Sequence, residues 1–162
     1  MYANNSLLSS DDRLKTGEKN IENATESLLK LKPQIYDKHQ SLDEFDLETV
    51  KESGLIAQEV YYDAPELRHL VHYDKDAEIP AKKPFTDEDP TKDPDYSSWG
   101  KETACVNYQG FIAYLIQSVK ENEKDKKALT ALVQSNYVEI ENLKKELNDE
   151  KLRINDIISR LE

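Results

Sequence analysis

The chain is short of the residues on which several classes of protein depend. It has a single cysteine, Cys105, which excludes a disulfide framework and a cysteine-based zinc site. Its four glycines stand singly along the chain, so no glycine-rich phosphate loop can be built from them. No run of about 18 apolar residues occurs, so we expect no membrane-spanning segment. Nothing in the sequence predicts a metal or a cofactor.

Basic and apolar residues are also in short supply. Lysine and arginine number 22 against 33 acidic residues, and a formal net charge of −11 would repel a nucleic acid. Only 37% of the 162 residues are hydrophobic, below the ~45–50% of ordinary globular chains. The length suggests one domain, or a small domain with an extension. We therefore expect that part of the chain is solvated, or that other copies of the chain complete its core.

The first half of the chain alternates between short helical and extended patterns. A stripe of apolar residues from Glu18 onward predicts a helix that Pro33 ends. Residues 34–37 and 53–57 are predicted to be two paired strands, and residues 58–70 a helix interrupted at Pro65. The stripe of the first helix consists of Ile21, Ala24, Leu28 and Leu31.

Residues 74–101 form an acidic segment that contains four of the six prolines. A segment of this composition buries too little surface to offset its ordering entropy, so we expect a surface loop. Phe85, Tyr96 and Trp99 are the residues that we expect to fasten it. Short strands are predicted on either side of the loop, at residues 70–73 and 103–108.

A long helix is predicted from Gly110 to the C-terminus, because no further glycine or proline occurs. At its start an apolar face is wide enough to pack on the rest of the domain. This face consists of Phe111, Ile112, Leu115, Ile116 and Val119.

Beyond Glu121 the apolar face narrows to a seam with a heptad repeat, which is typical of a coiled coil. Asn136 and Glu150 interrupt the seam at d positions and can fix its register. Isoleucine at both Ile154 (a) and Ile157 (d) favours three or four strands over two. The alternative is a helix that breaks near residues 122–127 and folds back. The apolar seam residues are Leu129, Val133, Ile140, Leu143, Leu147, Ile154, Ile157 and Leu161.

The segment Ser9-Ser10-Asp11-Asp12-Arg13-Leu14-Lys15-Thr16 is the most informative part of the sequence. On its own, a Ser-Ser-Asp-Asp run indicates a helix N-cap. With the rest of the chain it resembles the peptidase S74 family, the intramolecular chaperones of phage tailspikes and tail fibres, which typically opens Ser-Asp-x-Arg-Leu-Lys. Three further landmarks of that family follow in order: Leu31-x-Pro33-x-x-Tyr36, then Gly54-Leu55-Ile56-Ala57-Gln58-Glu59-Val60 with Pro65-Glu66-Leu67, and finally Val106-x-Tyr108.

The resemblance implies a homotrimer that helps an upstream fibre domain of the same polypeptide to fold and then cuts itself off. Ser10 would be the nucleophile, Lys15 the general base, and the Ser9–Ser10 bond the cleavage site. Residues 1–9 would then be the end of the fibre segment, 10–121 the chaperone and protease head, and 122–162 the coiled-coil stalk. Release would occur in the host cytoplasm during virion assembly, while the parent protein enters the virion. The matching motif residues are Asp11, Arg13, Gly54, Gln58 and Glu59.

The implied chemistry makes two demands on the structure. A serine hydroxyl needs a base, and free lysine titrates near ~10.4, so a lysine base must be desolvated, which trimer assembly would provide. Residues five apart lie far apart around a helix, so the Ser10 end must be a non-helical turn that brings the hydroxyl to Lys15.

The sequence therefore predicts an α+β fold: a small helix-rich head with short antiparallel strands, followed by a long C-terminal helix in a trimeric coiled coil. The predicted function is a self-cleaving trimerisation chaperone. The alternative is a module of the same architecture that does not cut and stays attached to its parent.

Overall fold

A computed structural model describes residues 10–42, 48–84 and 94–161. The predictions for residues 1–9, including Ser9, and for Phe85 lie outside these residues. The described part has the α+β composition expected: three α-helices, two pairs of short antiparallel strands and several 3₁₀ turns. Its last helix is far longer than the rest of the fold.

The first helix, α1, spans Ala24–Leu29 and is shorter than the predicted helix that began near Glu18. The prediction was wrong about its start because Asn23 adopts a left-handed backbone, with φ of 53°. Such a residue cannot continue a right-handed helix. Ala24 is buried in the helix, and Leu28 in the helix and Leu31 just after it pack against the core, as the apolar stripe indicated. Ser27 is buried as well.

Two strands follow and pair antiparallel, β1 at Gln34–Lys38 and β2 at Val50–Gly54, with Gln34 opposite Gly54 and Lys38 opposite Val50. The pairing is as predicted, but β2 lies three residues earlier than the predicted strand 53–57. Leu55 and Ile56 after Gly54 belong to neither element, and Ile56 is the N-cap of α2, Ala57–Asp63, which buries Ala57 and Val60.

The predicted interruption at Pro65 is confirmed, because α2 ends at Asp63 and a 3₁₀ turn runs over Pro65–Leu70. Strand β3, Val71–His72, pairs antiparallel with β4, Cys105–Val106. Both lie within the strands predicted on either side of the acidic loop. The core forms between these elements, and its most buried members are Val60, Ala64, Leu67, Leu70, Val71, Trp99 and Phe111.

The acidic loop is fastened at its end by aromatic packing, as predicted for Tyr96 and Trp99. The Trp99 side chain is buried, and Tyr61, Tyr73 and Tyr96 meet its ring edge-on at centroid distances of 5.2, 5.6 and 6.1 Å. Edge-to-face aromatic pairs add to the free energy gained by burial alone. The loop therefore contributes a central core residue.

The carboxylate of Asp74 closes the base of the same loop. It accepts hydrogen bonds from the backbone N–H groups of Asp76, Lys101 and Glu102, at 3.0, 2.8 and 3.2 Å. These bonds hold the pKa of the Asp74 carboxyl below its ordinary value, with the bond from Asp76 as the largest cause. Asp74 was not among the residues predicted to fasten the loop.

Helix α3 runs without a break over Phe111–Leu161, 51 residues or about 75 Å. The alternative in which the helix breaks near residues 122–127 is therefore wrong. Every apolar seam residue is exposed in the single chain, from 50% at Ile140 to 82% at Leu161. A row of exposed apolar side chains on this scale marks an interaction surface.

The wide apolar face at the start of α3 was predicted to pack on the head, and this prediction was wrong. Phe111 alone of that face is buried, whereas Ile112, Leu115, Ile116 and Val119 are 53–68% exposed. The head instead contacts the neighbouring face, which includes Tyr114, Ser118 and Glu121. Ile112, Leu115 and Val119 continue the a and d positions of the seam. Asn122 at d and Lys126 at a separate them from Leu129, where the apolar seam begins.

Candidate functional site

The segment that carries the proposed catalytic residues is a tight turn at the start of the described chain. Residues Asp12–Leu14 form one 3₁₀ turn, and Asp11 is its N-cap, since the Asp11 carboxylate accepts a 2.9 Å hydrogen bond from the backbone N–H of Arg13. The N-cap indicated by the Ser-Ser-Asp-Asp run is thus confirmed for Asp11. It caps a single turn rather than a longer helix.

Arg13 closes the same turn from the other side. Its guanidinium donates to Asp11 through Nε at 3.0 Å and through Nη2 at 2.6 Å. The side-chain bond from Arg13 lowers the pKa of the Asp11 carboxyl, and the backbone bond from Arg13 adds to the shift. Such forked, charge-assisted bonds fix geometry as well as adding energy. Two of the family's motif residues therefore shape the turn itself.

The turn brings the side chains of Ser10 and Lys15 together. The Nζ of Lys15 donates hydrogen bonds to the Oγ of Ser10 at 2.9 Å and to the carbonyl oxygen of Ser10 at 3.1 Å. A general base must lie within about 2.6–3.2 Å of the group it deprotonates, and this pair meets that distance. The backbone at Ser10 is non-helical, as the chemistry requires.

Both side chains are exposed to water in the single chain. A lysine acts as a base only through its neutral amine, which burial favours. The turn thus has the geometry of a serine–lysine pair without the burial that a lysine base needs.

The remaining motif residues lie in a second group, at the junction of β2 and α2. Gly54 is required by close packing, since a Cβ there would lie 2.5 Å from the hydroxyl oxygen of Tyr108 and 2.9 Å from that of Tyr36. The Tyr108 hydroxyl accepts a 2.8 Å hydrogen bond from the N–H of Leu55. Three of the sequence landmarks therefore meet at one place.

Glu59 and Gln58 lie in the first turn of α2 and are half-buried. The Glu59 carboxylate accepts a 2.6 Å hydrogen bond from the side chain of Gln34 and lies 3.5 Å from the Nζ of Lys83. Among the described residues, no hydrogen bond or ion pair joins this second group to residues 10–22. The structure therefore separates the sequence-predicted motif residues into a reactive turn and a structural junction.

Glu121, on α3, is a further structural residue that was not predicted from the sequence. Its carboxylate accepts hydrogen bonds from the backbone N–H groups of Ala24 at 3.0 Å and Thr25 at 2.8 Å, and so attaches α1 to α3. No signal in the sequence distinguishes it from the other acidic residues of the long helix, because its partners lie almost a hundred residues away.

Two other kinds of site are absent from the part of the chain that the structure describes. Over residues 10–42, 48–84 and 94–161, no group of three or more histidine, cysteine, aspartate or glutamate side chains could hold a metal ion. In the same residues, no helix is both long enough and apolar enough to cross a membrane.

The comparisons with known proteins agree with the resemblance drawn from the motifs. Residues 10–69 match the family model Peptidase S74, described as chaperone of endosialidase. The match begins at Ser10 and covers the reactive turn, the β1–β2 pair and α2. It confirms the family resemblance for this part of the chain and supports a chaperone role and a peptidase kind of activity in general. No curated protein matches the chain.

Proposed function

We propose that the chain is a self-cleaving intramolecular chaperone, which trimerises, assists the folding of an upstream fibre or tailspike domain and then releases itself. The observation that carries the proposal is the 2.9 Å contact between Lys15 Nζ and Ser10 Oγ in a chain whose residues 10–69 match a chaperone family named as a peptidase. As in other proteins of the resembled kind, release would take place in the host cytoplasm during virion assembly.

Trimerisation is supported by the exposed stripe on α3. A helix about 75 Å long with apolar residues along one face needs partner helices, since the head covers only the neighbouring face at one end. Ile154 at an a position and Ile157 at a d position favour more than two strands. Three identical chains in parallel would place their three heads side by side.

The chaperone role follows from the order in which contacts form. Fibres of intertwined β-strands depend on contacts between distant residues, so they fold slowly and expose strand edges that aggregate. A coiled coil consists of local contacts and forms faster, and it then holds three upstream chains at a high effective concentration.

Cleavage is a single intramolecular turnover. The Ser10 hydroxyl attacks the carbonyl carbon of Ser9, and its proton passes to the neutral amine of Lys15. The carbon–nitrogen bond then breaks, Lys15 returns the proton to the leaving nitrogen of Ser10, and an ester joins Ser9 to the Ser10 oxygen. Water hydrolyses that ester to give an upstream fragment ending in a carboxylate and a fragment beginning at Ser10.

Burial of Lys15 is the step that assembly supplies. In the single chain Lys15 is exposed, so the head alone does not desolvate its amine. Contact with a neighbouring head would remove water from the amine and favour its neutral form. Cutting would then follow assembly instead of preceding it.

Intact-mass spectrometry of the purified chain tests the cut. We expect a fragment that begins at Ser10, and its loss in Ser10→Ala and in Lys15→Arg, because arginine keeps the positive charge but cannot act as a base. Lys19→Arg is the matched control on the same exposed segment and should cut normally. Hydroxylamine should accelerate cleavage of the wild type by trapping the ester.

A non-cleaving trimerisation module is the second candidate, and the exposure of Ser10 and Lys15 favours it. Such a module would use the same seam and stay attached to its parent. A full-length chain that persists through long incubation as an assembled trimer would support this candidate and exclude self-cleavage.

A further inference from the structure

The N-terminus of helix α1 is capped by a residue that lies almost a hundred positions later in the sequence, Glu121 of α3. Its N-cap residue, Asn23, makes no side-chain capping bond, although the first N–H groups of any helix need acceptors. The Glu121 carboxylate fills this role, with one oxygen accepting from Ala24 and the other from Thr25. A long-range contact therefore replaces the local cap that most helices have.

Further bonds strengthen the contact, which we call the Glu121 clasp. The Thr25 hydroxyl lies 2.9 Å from the hydroxyl of Ser118, and the Gln117 amide donates to Glu121 at 3.2 Å. Ala24 beneath them is fully buried. The hydrogen bonds that Glu121 accepts, with the bond from the Thr25 backbone as the largest cause, lower the pKa of the Glu121 carboxyl to about 2.

The clasp and the seam occupy different faces of α3. Glu121 and Ser118 are half-buried against α1, whereas Leu115 and Val119 are 53% and 68% exposed. Partner helices can therefore cover the seam while the clasp remains closed. The same three turns of helix contact the head on one side and are free to contact other chains on the other.

The clasp also fixes the point at which the segment with Ser10 and Lys15, residues 10–22, is attached to the fold. Residues 10–22 precede α1 directly, and within the described chain no hydrogen bond or ion pair joins them to any other element. Eight residues lie between Lys15 and Ala24, so nine Cα–Cα steps give a reach of about 30 Å at most. The attachment of α1 to α3 therefore decides which region the Ser10–Lys15 turn can reach.

We propose that Glu121 is a positioning residue for self-cleavage, which ties the Ser10–Lys15 segment to the helix that forms the seam. This inference rests on the proposed function. Assembly of the seam brings three copies of α3 together, and the clasp then places each reactive segment beside a neighbouring head. A loosened clasp leaves assembly intact and slows the cut.

The test compares Glu121→Ala and Glu121→Gln with Glu123→Ala, a matched control two residues along the same helix. Glu123 is exposed, and within the described residues its ion pairs are with Lys126 and Lys127 on its own helix. Each protein is brought to the trimeric state, confirmed by sedimentation, and the first-order appearance of the fragment beginning at Ser10 is followed by intact mass.

We expect Glu121→Ala to cut about 10–100-fold more slowly in the trimer, because a detached α1 lowers the effective concentration of the Ser10–Lys15 segment at the neighbouring head. Glu121→Gln should recover part of the rate, because its amide oxygen still accepts one hydrogen bond, and Glu123→Ala should match the wild type. Faster hydrogen exchange over residues 24–29 should accompany each loss of rate.

Two results separate this inference from the proposed function. Equal cleavage rates in trimers of the wild type and of Glu121→Ala would overturn the positioning role and leave self-cleavage standing. No cleavage in wild-type trimers would overturn both. If Glu121→Ala unfolds the head, which the fluorescence of the single tryptophan, Trp99, would reveal, the rate of Glu121→Gln decides in its place.

Discussion

The amine of Lys15 and the hydroxyl of Ser10 lie 2.9 Å apart across a single 3₁₀ turn, Asp12–Leu14. In an α-helix the two side chains would point about 140° apart, so the turn is what allows them to meet. Asp11 and Arg13 hold that turn closed by a bidentate ion pair. These four residues lie within six positions of the sequence, so the arrangement is local. Under the proposed function, it becomes reactive only when assembly of the chains buries Lys15.

Opening the turn should reduce cleavage while leaving both reactive residues in place. We expect Asp11→Ala to remove the N-cap and the ion pair together and so to loosen the turn. The fragment beginning at Ser10 should then appear more slowly in trimers. Asp12→Ala, which changes the same charge next to it, should have the smaller effect. Equal rates in the two variants would show that the cap is not needed.

The stability of the head should depend on acid through Glu121. Its carboxyl has a pKa of about 2 in the folded chain against an ordinary value of 4.5, so folding favours the charged form. The contribution is complete above about pH 4.5 and is lost as the pH falls towards 2. Unfolding followed by Trp99 fluorescence should therefore find Glu121→Gln less stable at neutral pH, with the difference shrinking below pH 4.5. A difference that is constant with pH would contradict the assignment.

Gly54 and Gly100 should both resist replacement by alanine, for different reasons. At Gly54 a Cβ would meet the hydroxyl groups of Tyr108 and Tyr36. At Gly100 the backbone has φ of 91° and ψ of −169°, a conformation reserved for glycine, and a Cβ would lie 2.5 Å from Asp74. We expect Gly100→Ala to lower the free energy of unfolding by about 1–3 kcal/mol. Gly17→Ala is the comparison: Gly17 also has a positive φ, of 69°, but no atom lies within 4 Å of its Cβ position, so this variant shows the backbone cost alone and should be less destabilising.

The polar seam residue Asn136 should specify how the helices align. In the assembled seam the Asn136 amide would be buried among apolar partners and would cost stability. Replacement by leucine should therefore raise the unfolding temperature of the assembled seam. The same change should broaden the distribution of oligomers or registers, which sedimentation and cross-linking measure. Asn142→Leu, on the outer side of the same helix, should do neither. A single, unchanged oligomer in Asn136→Leu would show that Asn136 does not set the assembly.

The sequence predicted best those features that depend on neighbouring residues. The unbroken helix from Phe111 to Leu161 follows from its periodic apolar residues and the absence of glycine and proline. The break at Pro65 follows from its missing N–H. The need for a turn between Ser10 and Lys15 follows from helix geometry. Each of these depends on a stretch short enough to be read as a pattern.

The features that were predicted wrongly or missed involve contacts between residues distant in the sequence. The pattern of Ile112, Leu115 and Val119 indicates an apolar face but not which surface covers it, and the head packs beside it instead. The start of α1 depends on Asn23 and on a cap supplied by Glu121, almost a hundred residues later. Asp74 likewise gains its role only when the chain returns at Lys101.

The most direct test separates the chain by assembly state and follows cleavage in each fraction by intact mass. We predict that the fragment beginning at Ser10 appears in the trimer with first-order kinetics independent of concentration, and that monomers kept apart by Leu143→Asp on the seam remain uncut. Cleavage at the same rate in monomers, or an uncut wild-type trimer after prolonged incubation, would contradict the account.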